Sequence, residues 1–167
     1  MMKEKIMVHI YQKIMILAMA LCFIPVGVAE TNAPWGRAKL DRIQYKPQKV
    51  VYDVSVNSVE SLSRILDRVS YLNNVYRADP FDASIILVLH GNEIPFFAIK
   101  NYKKYAELMK RAQSLTVGGP IEFRMCKVAA KGHGFEPKDI QGFVKMVPMA
   151  DAELIRLQKE EGYAYMY

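Results

Sequence analysis

Two hydrophobic rhythms alternate along the chain. "KVVYDVSV" (49–56) is rich in β-branched residues and short enough for a buried strand. Asn57, with Glu60 three residues on, predicts a capped helix start. Leu62, Ile65, Leu66, Val69, Leu72 and Tyr76 then follow at spacings of three and four, the stripe of an amphipathic helix. The pair repeats in kind. Asp79-Pro80 with Asp82 predicts a turn and "SIILVLHG" (84–91) a continuous apolar strand. Tyr105, Leu108, Met109 and Ala112 form the stripe of a second helix, broken by Gly118-Gly119-Pro120. "IEFRM" (121–125) reads as a third strand and "CKVAAKG" (126–132) as a short helix closed by Gly132. "FVKMVP" (143–148) is a fourth strand and "ADAELIRLQKEEG" (150–162) a last helix ended by Gly162. The aromatic tail "GYAYMY" (162–167) either pairs as an edge strand or lies in a subunit contact. Apolar strands separated by helices predict an α/β fold of three layers, a mostly parallel sheet flanked by helices.

The first 48 residues lack this rhythm. Lys3, Lys5 and Lys13 precede 15 uncharged, mostly apolar residues (14–28), with Gly27 and Ala29 small where a signal peptidase reads. The run is shorter than the roughly 20 residues of a spanning helix. Residues 1–29 are therefore expected to be a cleavable signal peptide, which makes the protein periplasmic or secreted and leaves no stable membrane insertion after cleavage. Cys22 lies inside the leader, but Leu21 before it does not suit a lipidation site. Residues 30–48, with two prolines and no periodicity, read as a spacer or N-terminal arm, and 49–167 as one domain.

Charge and cysteine content narrow the chemistry. The full chain has 23 basic and 17 acidic side chains; removing the leader's three Lys and one Glu leaves 20 and 16, net +4. No Lys/Arg cluster with interleaved aromatics occurs, so nucleic-acid binding is not expected. After the leader, Cys126 is the one remaining cysteine, an unpaired thiol in an exported chain.

Ligands in open parallel sheets gather beyond the carboxyl ends of the strands. The residues expected there are Asn57 and Ser58, then His90, Gly91, Asn92 and Glu93, then Cys126 and Lys127. Cys126 opens a predicted helix, with Arg124 two residues earlier on the same strand face and Lys127 next to it, the surroundings that favour a thiolate. A lone cysteine at a strand end is also ordinary core. His90 can serve as a base for Cys126, as a ligand-orienting group, or as a satisfied strand-end histidine. A nucleophilic triad of Cys126, His90 and Glu93 is conceivable, though no nucleophile elbow accompanies it. Cys126, His90 and His133 lack metal-site spacing, so no metal is expected.

Three stretches together resemble the DsrE/DsrF-like (sulfur-relay) family. They are "LVLHGNEIPFF", "IEFRMCKVAAKGHGFEPKDIQGFVKMVP" and "AELIRLQKEEGYAYM". The resemblance covers residues 49–167. Its most specific part is the cysteine at a strand-to-helix junction, followed by a glycine, a short acidic loop, Val-x-x-Val-Pro and the closing Gly-Tyr-Ala-Tyr. It implies a flavodoxin-like or Rossmann-like fold without phosphate-binding glycines or a cofactor, assembled as a trimer or hexamer. In relay members the cysteine matched by Cys126 accepts a persulfide and passes it to a protein thiol. Those members are cytoplasmic, whereas this chain carries an export signal. The resulting expectation is an exported sulfur carrier acting through Cys126, with His90, Gly91, Asn92, Asn57, Arg124 and Lys127 shaping the pocket. The alternatives are a non-catalytic oligomeric binding or assembly module with a structural cysteine, and a thiol redox sensor.

Overall fold

A computed structural model describes residues 33–76, 83–117 and 119–167. The leader and the turn at Asp79-Pro80-Asp82 lie outside the described residues. The chain divides into two units, Met1–Arg42 and Ile43–Tyr167. In the first, residues 33–42 hold one turn, closed by Gly36 N–H on the Ala33 carbonyl at 2.8 Å.

In the second unit, five strands of the described residues form one sheet: β1 (Lys49–Val54), β2 (Ser84–Leu89), β3 (Ile121–Cys126), β4 (Val144–Val147) and β5 (Ala164–Met166). Their order is β4-β3-β2-β1-β5 and every pairing is parallel. The α-helices are α1 (Val59–Val75), α2 (Tyr102–Leu115), α3 (Lys127–Gly132) and α4 (Ala150–Glu160). The tail pairs as an edge strand beside β1, one of the two roles open to it. No described helix is long and apolar enough to cross a membrane.

The apolar runs are long because the sheet is covered on both sides. On the first face Val50, Tyr52, Val54, Ile85, Leu87, Leu89, Phe123 and Met125 meet Leu62, Leu66 and Val69 of α1 and Leu108, Met109 and Ala112 of α2. Phe97, Phe123 and Phe143 pack as an aromatic trio, with ring centroids 5.7 to 6.2 Å apart. On the second face Val51, Ile86, Val88 and Cys126 meet Ala150, Leu154 and Leu157 of α4.

Topology explains this division. From β1 to β4 the chain advances one strand at a time in one direction, and right-handed crossovers put the intervening helices on one side. From β4 it returns past the whole sheet to β5, so the last crossover, α4, lies on the other side.

Two element ends differ from expectation. Ser58, not Asn57, caps α1: its Oγ accepts the Ser61 N–H at 3.1 Å, and the helix starts at Val59. A hydroxyl at this position reaches the N3 amide, while Asn57 stands one residue too early. Gly132 is the last residue of α3 and does not stop it. The left-handed turn falls on Gly134, with φ of 77°.

Candidate functional site

The topology marks one place on the carboxyl edge. β3 hands the chain to α3, whose Ala130 enters the first-face core, whereas β4 hands it to α4 on the second face. Adjacent strands whose chains depart to opposite faces open a crevice between their carboxyl ends, the usual ligand position in open α/β sheets. Cys126 ends β3 there, opposite Val147 of β4.

Cys126 is the N-cap of α3, and its Sγ accepts the Ala129 N–H at 3.4 Å. Extended backbone at Cys126 (φ −65°, ψ 117°) turns the sulfur onto the helix's free amides. The residue is 5% exposed, so the sulfur sits just beneath the surface. Of the two cations expected to support it, Lys127 is exposed beside it. Arg124 is on the same strand face, as expected, but its guanidinium is bonded to Glu122 and Glu153. Burial works against that charge and the two carboxylates outweigh it, so the guanidinium is held more firmly protonated than usual. Arg124 is thus the centre of an ion network joining β3 to α4, and its charge is not free for the thiol.

His90 continues the sheet beyond β2, donating its N–H to the Val54 carbonyl at 3.1 Å. Leu89 and Met125 are the last paired residues of β2 and β3, so His90 and Cys126 follow them at the carboxyl ends of adjacent strands, both on the second face by strand alternation. The imidazole Nε2 lies 2.5 Å from Asp53 Oδ1, with the two side chains 27% and 23% exposed. A carboxylate can only accept, so Nε2 carries the hydrogen in this bond. The Tyr165 hydroxyl donates to Asp53 Oδ2 from the other side. That bond, then partial desolvation, raises the Tyr165 phenol above its ordinary range, because ionisation would set an anion against the carboxylate. Three strand ends therefore contribute to one line of bonded groups, Tyr165 from β5, Asp53 from β1 and His90 after β2, while Cys126 stands at the end of the next strand, β3.

Glu93 does not complete a triad. It is wholly buried, and its two oxygens accept the Val56 N–H at 2.9 Å and the Gly91 N–H at 2.8 Å. These bonds tie the loop after β1 to the loop after β2. In the conceivable triad of Cys126, His90 and Glu93, the link from Glu93 to His90 is not formed: the imidazole is bonded to Asp53 instead. Gly91 is spatially required: a Cβ there would stand 2.7 Å from the Ser55 Cα. Asn57 and Asn92 are exposed on the same edge, and His133 is exposed after α3. Among the described residues no group of three or more His, Cys, Asp or Glu side chains could hold a metal ion.

Asp53 and Tyr165 are not among the residues that the sequence pattern selects. The available signal for Asp53 is a carboxylate inside an otherwise apolar strand, "VVYDV". Tyr165 offers none, since its partner is 112 residues away.

No family model matches the chain and no curated protein matches it. Among solved structures, it is similar to a protein of unknown function, MTH1491, from Methanobacterium thermoautotrophicum. The match has 19% identity and a TM-score of 0.51, and covers 71% of this chain and 97% of that one. This likeness supports the α/β fold.

Proposed function

We propose that the protein is an exported, sulfur-relay-like carrier that holds persulfide sulfur on Cys126. The observation that carries this reading is the place of the thiol: at the sheet's switch point, under a backbone N–H, on the edge that also holds the His90–Asp53 pair. The residues of the DsrE/DsrF-like resemblance surround the same position. Acyl transfer would need amides free to hold an oxyanion, and the Ala129 N–H is turned to the sulfur instead. Sulfur transfer develops its charge on sulfur, so it has no such requirement.

The leader pattern of residues 1–29 supports export. Exposed Val128, Met149 and Ile155 supply apolar surface for self-association into a trimer or hexamer. A donor persulfide and an acceptor protein thiol are the partners this chemistry requires.

The test is to incubate the purified protein with a low-molecular-weight persulfide and measure intact mass. A gain of one sulfur atom, reversed by reductant and lost in Cys126→Ser, is expected. A wild-type protein that gains nothing refutes the reading. The burial of Cys126 among apolar side chains favours a second reading, a binding or assembly module with a structural cysteine. That reading expects native Cys126 to resist alkylation and Cys126→Ala to change stability alone.

A further inference from the structure

We propose that His90, oriented by Asp53, is the proton acceptor for the Cys126 thiol, and that Asp53 is a positioning residue for this step. The inference rests on the persulfide reading for its substrate, but the coupling of imidazole and thiol stands on geometry.

His90 and Cys126 directly follow the last paired residues of β2 and β3, Leu89 and Met125, and alternation puts both on one sheet face. Bonding of Nε2 to Asp53 fixes the tautomer, so Nδ1 is the nitrogen with a free lone pair. Asp53 has both oxygens engaged, by His90 on one side and Tyr165 on the other, which holds the ring from rotating. On α4, which covers the same face, Glu153 and Arg156 are paired with each other, and Glu153 also with Arg124. The buried Glu93 is turned to two backbone amides. Among the described residues, Asp53 is therefore the carboxylate that engages the His90 ring.

In the loading step Cys126–SH meets a donor R–S–SH. The thiol proton passes to His90 Nδ1 as the thiolate attacks the outer sulfur. One S–S bond forms, the donor S–S bond breaks, and R–S⁻ leaves and takes the proton back from His90. The products are Cys126–S–SH and R–SH, with no net oxidation. A base poised in this way contributes on the order of 100-fold or more to proton-coupled steps.

The test compares wild type, His90→Gln and Asp53→Asn by two measurements against pH: iodoacetamide alkylation of native Cys126, and sulfur loading from a low-molecular-weight persulfide. The wild-type rates should carry a pH dependence that His90 supplies. His90→Gln should lose that dependence and load about 100-fold more slowly at pH 7, and Asp53→Asn should load more slowly than wild type by a smaller factor. Both should converge on wild type at high pH, where hydroxide can take the proton in place of His90. Unchanged profiles in both variants overturn the proposal, and so does an equal loss at every pH, which marks a structural effect. A His90-dependent alkylation profile in a protein that loads no sulfur refutes the persulfide reading while supporting the coupling.

Discussion

Glu153→Gln tests whether the ion network under α4 holds the helix on the sheet. Glu153 accepts bonds from Arg124 of β3 and, at 2.9 and 3.0 Å, from Arg156 of its own helix. The Arg124 and Glu153 side chains are 16% and 10% exposed, so their attraction is poorly screened. Removing one partner of a buried pair costs up to about 3–5 kcal/mol. Arg124 keeps Glu122 and the substituted amide keeps one acceptor oxygen, so the loss should be nearer about 2 kcal/mol, the range of a charge-assisted hydrogen bond. For a domain of this size that lowers Tm by roughly 8 °C. The pH dependence has a definite sign. The bonds from Arg156, against the opposing effect of burial and aided by Arg124, hold the Glu153 carboxyl below its ordinary 4.5. Its contribution is fully present above that value and is lost as pH falls through the lower folded-state value. Urea unfolding of both proteins at pH 7 and pH 3 should show the gap at neutrality and its shrinkage in acid. An equal gap at both values, or one below about 0.5 kcal/mol at pH 7, refutes the reasoning.

Gly91→Ala should lower stability by about 1–3 kcal/mol in chemical denaturation, because the new methyl group meets the Ser55 backbone as well as the Ser55 and Glu93 side chains. Phe123→Ala, which empties the centre of the aromatic trio, should cost about 3–5 kcal/mol in the same assay. Ser58→Ala removes the acceptor for the Ser61 amide and should cost about 1 kcal/mol, whereas Asn57→Ala should cost almost nothing. Lys127→Glu should slow alkylation of Cys126 a few-fold at low salt, with the difference fading in 1 M salt, where the Debye length is about 3 Å.

β1 and β2 are legible in the sequence because they are buried on both sides and so read as short apolar runs, whereas β5 is an exposed edge strand whose pairing the sequence leaves open. The order of strands and helices follows from those runs, and the carboxyl-edge rule then brings His90, Glu93 and Cys126 together. What the pattern does not supply is pairing. Asp53 reads as one polar residue in a strand until the structure shows its carboxylate bonded to the His90 ring. Glu93 lies on the edge, as the pattern predicts, but its partners are backbone amides of Val56 and Gly91, which carry no sequence signature. Arg124 shares the face of Cys126, yet spacing within one strand does not reveal Glu153, 29 residues on, which takes its charge. Local chemistry misleads at the helix start as well, where Asn57 and Ser58 are both good caps and the backbone selects the second.

The pairing of β5 with β1 also sets a timetable. A chain made from its N-terminus can stack β1 to β4 under α1 and α2 by successive short steps, but Val51, Ile86 and Val88 stay bare until α4 and β5 emerge. Closing so long a loop is slow by comparison with local contacts. Asp53 is among the first strand residues to be synthesised and gains its bond to Tyr165 among the last. A chain cut short after β4 would retain Cys126, His90 and Asp53 and still present them on an uncovered, adhesive face, so only a finished molecule has this edge closed over.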